Sequence, residues 1–473
     1  MQTRTISITI FLLVAVAFAA PNAYSQWFGR IHNTIGHWQA SADNRGIVFN
    51  NDNRGGGLWN TQTLVFGAGL WIGGIINCPT CKKAPVAMSV TYDPNSARTD
   101  FVPGSAIYDG ASIDSSTTGS LKYQPTLSSS VPASEWPMRL VGQNPSYIDV
   151  IPSRQSAGPA YMIGDEDIFT IYKNTDRTFW TPNDTTNVPR FEIRTQIGFW
   201  GSGFWSDVVV VKNELIYLGS DTILNPAIAL AFDGDIGSGG SAVSNNYLRG
   251  FLDSGVNGCM FRSGSKTSPA QPLLGVYFLR GISSTHISDP GLTTLRRWTI
   301  YNDPGNSDQR YNFMTSREKD ILDTGGAADV RVLLSSMSTT SLLPGDTLHF
   351  DYALCGVQPS NSNPFDTTAI VNCGKIITAL YQSGQLGSLA VHSNSTAEES
   401  ITVYPNPAGD ECTIVSSSDP IVSIELFNTL GISLDIQTTG NNSRSAWLHL
   451  DGRAAGPYYA KINGRYFVKI LKR

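Results

Sequence analysis

The sequence has few charged residues: only 15% of its 473 residues are Asp, Glu, Lys or Arg, and the formal net charge is −5. A nucleic-acid-binding protein needs basic patches that neutralise phosphates, so this composition argues against nucleic acid as a partner. Residues that favour long helices, such as Glu and Lys, are scarce, whereas glycine is abundant. The composition therefore favours an all-β protein, mainly a β-sandwich, whose core comes from the 41% of apolar residues.

The sequence also lacks the motifs of common enzyme classes. His32 and His37 are five residues apart without an HExxH motif, and neither a GxSxG elbow nor a phosphate-binding glycine loop is present. Asp165, Glu166 and Asp167 form the densest acidic cluster, which we interpret as solvated. A structural or ligand-binding protein, with carbohydrate as one candidate ligand, is favoured. The alternative is a secreted hydrolase of polysaccharide or peptide, whose site is built from loops.

Long apolar runs are absent except near the N-terminus. Arg4 precedes an apolar run from Ile8 to Ala20, and Ala23-Tyr24-Ser25 forms a cleavage site before Gln26. This pattern predicts a signal peptide at 1–25, with the Sec translocon and signal peptidase as partners. The run is too short for a good transmembrane anchor, so we expect none.

Cysteines are few. Six cysteines in an exported chain predict disulfides. Cys78 and Cys81 lie in a loop, which favours a local disulfide over a redox motif. Cys355 and Cys373 bracket a second loop, where a bridge would contribute about 3 kcal/mol. Cys259 and Cys412 are left over.

The region 26–388 contains short apolar or alternating runs that predict strands. They fall at 46–49, 64–70, 86–92, 169–173, 191–199, 208–218, 223–232, 274–279 and 348–355. The glycines at 67, 69, 73 and 74 suggest close approach of a neighbouring ring or backbone. Asp366 to Ser383 predicts a helix that ends at Gly384, and Ser316 to Leu322 a shorter one. We expect one or two domains in this region, followed by a linker at 389–400.

Two groups of residues are candidate ligand sites. Asp233 and Asp235 follow a predicted strand in an Asp-Gly-Asp-Ile-Gly sequence. Asp253 could return to the same site after the next predicted turn. Oxygen ligands in an irregular loop suit Ca²⁺, although aspartates also cap turns. Trp200 and Trp205 lie beside glycines and could stack on sugars, although such rings usually fill cores. Structural calcium is the one candidate cofactor.

The last 73 residues, 401–473, show a distinctive order of motifs. Tyr404-Pro405-Asn406-Pro407, here called the YPNP motif, comes first, short strand patterns follow, and Asn463-Gly464 predicts a final hairpin. Gly431 and a Gly-x-Tyr pair, Gly456 and Tyr458, lie between these motifs. The chain closes on the basic residues Lys469, Lys472 and Arg473.

This order resembles the C-terminal sorting domain of the type IX (Por) secretion system. The resemblance implies a small Ig-like β-sandwich and export through the periplasm to the outer surface of a Gram-negative bacterium or the medium. It also implies contact with the type IX machinery and with a sortase that removes the domain. The segments Ala229–Gly237 and Leu342–Leu354 resemble stretches of uncharacterised secreted proteins that carry the same domain, which brings no activity with it.

Overall fold

The computed structural model describes most of the chain from residue 28 onward. The described residues are 28–49, 56–81, 85–94, 96, 98–104, 124–130, 162–176, 188–236, 246–252, 256–263, 271–321, 328–359, 367–384, 386, 401–416, 420–428, 433–436, 438–439, 443–463 and 466–473. The predicted signal peptide and the linker at 389–400 lie outside this set, so the division into domains stays a prediction. Most described residues are in antiparallel strands, which confirms the all-β class.

The N-terminal part contains seventeen described strands. They are β1 Arg30–His32, β2 Trp38–Asp43, β3 Gly57–Trp59, β4 Gln62–Ile76, β5 Val86–Val90, β6 Val102–Pro103, β7 Thr126–Leu127, β8 Glu166–Lys173, β9 Phe191–Phe199, β10 Val208–Tyr217, β11 Ile223–Gly234, β12 Asn246–Phe251, β13 Asn257–Ser263, β14 Leu273–Ser283, β15 Thr294–Thr299, β16 Val330–Met337 and β17 Thr347–Val357.

These strands form two antiparallel sheets. In the described residues one sheet has eight strands, in the order β1-β2-β3-β4-β11-β16-β15, with β5 beside β4. The other has nine, in the order β12-β13-β14-β17-β10-β9-β8-β6, with β7 beside β8. Alternate residues such as Phe232, Val211 and Phe350 are buried in one continuous core contributed by both sheets. Each large side chain of this kind stabilises the fold by about 1.5–3 kcal/mol.

One predicted close approach is clear at Gly67. A Cβ on this residue would lie 2.6 Å from Cζ of Tyr92, so the buried tyrosine ring requires glycine there. The structure therefore supports the interpretation of the glycine-rich run in β4.

Helix α1, Ser307–Thr315, packs against the outer side of the eight-stranded sheet. Asn306 caps it by accepting a hydrogen bond from the Gln309 N–H at 2.9 Å. The predicted helix at 316–322 is therefore wrong, because the helix ends at Thr315. The buried positions of α1 include Ser307 and Arg310, so no apolar stripe in the sequence indicates this helix.

Helix α2, Thr368–Gln382, packs against β14 and β17 on the outer side of the nine-stranded sheet. Ile370, Cys373 and Ile377 are buried, as the predicted stripe required. Gly384 has φ of +71° and its N–H donates to the Tyr381 carbonyl at 3.1 Å, so glycine ends the helix as predicted. The predicted N-cap, Asp366, lies outside the described residues. Within the described part of the chain, no helix is long and apolar enough to cross a membrane.

The C-terminal part is a separate small β-sandwich. Its strands are β18 Ile401–Tyr404, β19 Glu411–Ser416, β20 Ile424–Phe427, β21 Ser433–Leu434, β22 Thr438–Thr439, β23 Ser445–His449, β24 Gly456–Ile462 and β25 Tyr466–Lys472. The described strands form two sheets, β18-β19-β23-β22 and β21-β20-β24-β25. Ile414, Leu426 and Leu448 belong to one buried cluster between them. The predicted final hairpin is β24–β25.

Candidate functional site

The YPNP motif and the C-terminal strand β25 meet in space. The Asn406 Oδ1 accepts a hydrogen bond from the Leu471 N–H at 2.8 Å. The Ala408 N–H donates to the Leu471 carbonyl at 2.6 Å, and the Arg473 N–H donates to the Ala408 carbonyl at 2.9 Å. Two motifs separated by more than sixty residues in sequence are therefore parts of one structural unit. The Tyr404–Pro405 and Asn406–Pro407 peptide bonds in this loop are cis.

The basic end of the chain is only partly a charged tip. Lys472 is 6% exposed, and its Nζ donates to the Asp410 Oδ1 at 2.7 Å and to the Leu450 carbonyl at 2.8 Å. This amine is a structural contact of the domain, because its hydrogen bonds join β25 to the loop after the YPNP motif. Arg473 is exposed, and the side chain of Lys469 lies outside the described set.

The other predicted sorting residues have different roles. Gly456 has φ of +145°, a conformation that L side chains rarely adopt. Tyr458 is buried and its hydroxyl donates to the Ala454 carbonyl at 2.8 Å. Gly431 lies outside the described residues. Both described residues of the Gly-x-Tyr pair therefore shape the start of β24.

A second candidate site lies on the outer side of the nine-stranded sheet, next to α2. We call it the charged face. Strand register places its residues in two neighbouring rows that cross β9, β10, β17 and β14. The first row is Gln196, Lys212, Asp351 and Arg280, and the second is Arg194, Glu214, His349 and Ser283. The sequence predicted the strands but not this site.

Arg194 of the second row forms ion pairs with Glu214 of the same row and with Glu192, two residues earlier in β9. The buried Arg194 donates from its guanidinium to Glu192 at 3.1 Å and to Glu214 at 3.0 Å. Burying an ion pair costs desolvation energy that its attraction barely offsets, so such an arrangement is weak evidence for a purely stabilising role. Glu214 and the neighbouring His349 are half-buried, which leaves polar atoms of this row accessible.

The first row is joined to helix α2. The Tyr381 hydroxyl donates to Asp351 Oδ2, while Asp351 Oδ1 accepts the Asn213 N–H at 3.0 Å. The Lys212 Nζ lies 5.7 Å from the centroid of the Tyr381 ring. The last turn of α2 therefore forms one wall of the charged face.

The electrostatics of the charged face favour a neutral imidazole. Burial and the positive charge of Arg280 lower the pKa of His349, against the opposite effect of Asp351 and Glu214. Burial and the nearby Asp351 raise the pKa of Tyr381. The face thus places neutral, positive and negative groups side by side; Lys212, Glu214, His349 and Arg280 are partly exposed, whereas Arg194, Gln196, Ser283 and Asp351 are buried.

The predicted calcium residues do not form a ligand set in the described part of the chain. Asp233 is 4% exposed at the end of β11 and contacts the Arg331 Nε at 3.2 Å. Burial raises the pKa of Asp233 to about 8, although Arg331 acts in the opposite direction. Asp235 follows the strand, and Asp253 lies outside the described residues. No group of three or more His, Cys, Asp or Glu suited to a metal was found among the described residues, so calcium stays a prediction.

The two predicted tryptophans do lie together, with ring centroids 5.1 Å apart. Trp200 is only 2% exposed and packs in a buried cluster with β10 and α2. The structure therefore favours the core interpretation for Trp200, because a buried ring cannot stack on an external sugar. Trp205 is half-buried and contacts Phe204 at 5.2 Å, and its role in ligand binding stays a prediction.

In the acidic cluster Asp165 is exposed, as interpreted, but Glu166 and Asp167 at the start of β8 are buried and hydrogen-bonded, so the interpretation as solvated is wrong for these two residues. Glu166 accepts hydrogen bonds from the hydroxyls of Thr34 and Ser129, both at 2.7 Å. Asp167 accepts the Gly164 N–H at 2.9 Å. These carboxylates hold loops against the start of the strand, because each pairs with polar groups that burial would otherwise leave unsatisfied.

Both predicted disulfides are present. Cys78 and Cys81 are bonded with Cα atoms 5.4 Å apart, and Cys355 and Cys373 with Cα atoms 6.9 Å apart. The second bond joins β17 to α2. Cys259 is free and buried, as is Cys412.

Comparison with known proteins identifies the C-terminal part. Residues 402–472 match the family "Secretion system C-terminal sorting domain". A search of curated proteins finds no match to the chain. Among solved structures, a putative aldose 1-epimerase from Escherichia coli K12 aligns at 7% identity and a TM-score of 0.30, covering 70% of this chain and all of that one. A heparinase III aligns at 10% identity and a TM-score of 0.19, covering 94% of this chain and 42% of that one. Both TM-scores are too low to support an argument about function.

Residues of the charged face were missed although the sequence contained a signal. Over 192–196 in β9, 212–214 in β10 and 349–351 in β17, charged or polar residues occupy every second position. That alternation predicts a polar outer face for each strand. It does not reveal that the three strands are neighbours, because register and strand order depend on contacts between distant segments.

Proposed function

We propose that this chain is a cargo protein of the type IX secretion system, and that its N-terminal β-sandwich acts at the cell surface or in the medium as a structural or ligand-binding protein. The sorting domain at 402–472 supports export by this route. The observation that carries the proposal is the contact between the YPNP loop and β25. Because the first and last sorting motifs hydrogen-bond to each other, they form one structural unit.

Maturation is part of this proposal. Signal peptidase would cleave before Gln26, and a sortase would remove the sorting domain. The mass of surface-extracted protein tests both steps, since the mature form should begin at Gln26 and lack Arg473. A surface form that retains Arg473 would contradict removal.

Export is tested by transfer of the segment. A periplasmic reporter joined to residues 389–473 should appear outside the cells of a host with this secretion system. The same fusion carrying Asn406→Ala and Lys472→Met should be retained, because both changes remove contacts that join the loop to β25. A reporter that stays in the periplasm with the unaltered segment would contradict the proposal.

The charged face supports a ligand-binding role for the cargo region. Both signs of charge occur among its partly exposed side chains, Lys212, Arg280 and Glu214, whereas Arg194 and Asp351 are buried. Such a surface suits a neutral, polyhydroxylated ligand, whose hydroxyls both donate and accept hydrogen bonds. A carbohydrate is the proposed ligand class.

Binding to a panel of purified glycans tests this proposal. The Glu214→Gln and His349→Gln variants should weaken binding at least tenfold while the protein still unfolds in one cooperative transition above the assay temperature. Glu318→Gln, an exposed carboxylate elsewhere, is the matched control. Release of reducing sugars that disappears in Glu214→Gln would instead favour the hydrolase alternative. Unchanged binding in both variants would place the ligand elsewhere.

A further inference from the structure

Tyr459 lies on the outer face of the sheet β21-β20-β24-β25 of the sorting domain. Its neighbours in β24, Tyr458 and Ala460, are buried in the core of the small sandwich. Because successive side chains of a strand point to opposite faces, the Tyr459 ring points away from that core. The ring is nevertheless only partly exposed, and burial is the first cause that raises its pKa.

The cargo region reaches this tyrosine through residues 200–205, which we call the aromatic turn. Its aromatic residues are Trp200, Phe204 and Trp205. A Cβ on Gly203 would lie 3.2 Å from the Tyr459 hydroxyl, and no other atom lies near that position. The second cause that raises the pKa of Tyr459 is the charge of Asp165, whose Oδ2 accepts the Gly201 N–H at 3.0 Å. Distance and electrostatics therefore both place Tyr459 against the aromatic turn.

The chain leaves the cargo region beside the same turn. Leu386 is 2% exposed and belongs to the buried cluster that includes Trp200, and Phe204 and Trp205 pack against this cluster. Strand β18 begins at Ile401, so fourteen residues, 387–400, join the two regions. Fourteen residues span at most about 50 Å. A short linker gives an effective concentration on the order of millimolar, so a weak contact suffices to hold the sorting domain at the turn.

We propose that the sorting domain docks on the aromatic turn through Tyr459, and that removal of the sorting domain releases the turn. The proposal rests on the function proposed above, since release depends on that removal. Gly203 is exposed, so the contact is small and needs the linker to persist. Trp205, a predicted ligand residue, belongs to this turn. The attached sorting domain therefore restricts access of a ligand to the Trp205 ring until the domain is removed.

Hydrogen exchange of the purified full chain, measured on peptides by mass spectrometry, tests the release. A recognition site for a specific protease, inserted in the predicted linker 389–400, allows the linker to be cut after the chain has folded. At micromolar protein, cutting should raise exchange in the aromatic turn at least threefold, because Tyr459 dissociates from it. Exchange in β10 should stay unchanged. Equal exchange of the turn before and after cutting would overturn the proposal.

Changes at position 459 of the uncut chain provide a second measurement. Tyr459→Ala should raise exchange in the aromatic turn as cutting does. Trp447→Ala, which removes a ring that is 50% exposed on the other sheet of the sorting domain, is the matched control and should leave it unchanged. A photoreactive phenylalanine analogue at position 459 should crosslink to the peptide that contains Gly203, and the same analogue at position 447 should not.

The absence of this crosslink from position 459 would overturn the docking contact. These measurements use purified protein and do not depend on export. A surface form that retains Arg473 would instead contradict the removal step of the proposed function, while the crosslink and the effect of Tyr459→Ala would remain.

Discussion

At the scale of single residues, Arg331 joins two carboxyl groups of the cargo region. Its guanidinium contacts both Asp233 and Asp303, and all three side chains are buried. Arg331→Met should lower the free energy of unfolding by about 3–5 kcal/mol, because it leaves the buried Asp303 carboxylate without its cationic partner and Asp233 without its hydrogen-bond donor. Urea denaturation of the full chain measures the loss. The exposed Arg98→Met is the control, and an equal loss there would contradict the explanation.

Calcium can be tested at the same place. The sequence predicts structural calcium at this loop, so we expect a higher melting temperature in calcium than in chelator. A bound ion at a hundredfold excess over its Kd would add about 2.7 kcal/mol. The rise should be absent from Asp233→Asn, and equal melting temperatures of the unaltered protein in calcium and in chelator would contradict a calcium site.

His349 should make stability depend on pH on the acid side. Its pKa is lowered in the folded protein, by burial first and Arg280 second. Below its ordinary pKa of 6.5 the unfolded chain binds a proton that the folded chain does not, so the free energy of unfolding falls as pH decreases from 6.5 to the folded pKa.

The His349→Gln variant should therefore lose less stability between pH 7.5 and pH 5.5 than the unaltered protein does. Urea midpoints at the two pH values give the comparison. His286→Gln, at an exposed histidine, should leave the decline in place. If the His349 variant and the unaltered protein lose the same stability, other groups are responsible for the acid dependence.

At the scale of elements, the sequence predicts strands whose alternation is regular and misses elements whose buried side is polar. Strand β9 has its predicted ends, Phe191 and Phe199, because apolar residues occupy its inner face. Helix α1 was misplaced because Arg310 and Tyr311 provide much of its buried surface. The charged face was missed for a related reason: each strand shows the pattern, but only the pairing of β10 with β9 and β17 assembles it.

Helix α2 offers a test of what holds an element to its sheet. The disulfide between Cys355 and Cys373 closes a loop with a sequence separation of 18, and the chain-entropy relation assigns it about 3 kcal/mol. The double variant Cys355→Ser/Cys373→Ser should lose about this much stability, measured by denaturation without reductant. Because Tyr381 lies on α2, the same variant should also weaken ligand binding at the charged face.

The other disulfide is a suitable control for this prediction. Cys78 and Cys81 are three positions apart, so the same relation gives the bond only about 2 kcal/mol, and the loop is remote in sequence from α2. Cys78→Ser/Cys81→Ser should leave ligand binding unchanged. If ligand binding is unchanged in both double variants, α2 keeps its position without the Cys355–Cys373 bond and the prediction is wrong.

At the scale of the whole molecule, the two β-sandwiches have separate buried cores. The core of the cargo region includes residues of both its sheets, whereas the core of the sorting domain depends on Ile470 in β25. Loss of the last strand should therefore affect only the sorting domain. We therefore expect changes in the sorting domain to alter export without unfolding the cargo region.

Deletion of Tyr466–Arg473 tests this independence. The deletion exposes the edge of β24, which pairs with β25 from Gly456 to Ile462, and it removes the hydrogen bonds that the YPNP loop makes with Leu471 and Arg473. We expect the truncated chain to accumulate in the periplasm with a folded cargo region, as judged by cell fractionation and protease resistance. Arg473→Ala, which keeps the backbone contacts, should be exported. Surface delivery of the truncated chain would show that neither β25 nor its contact with the YPNP loop is required for export.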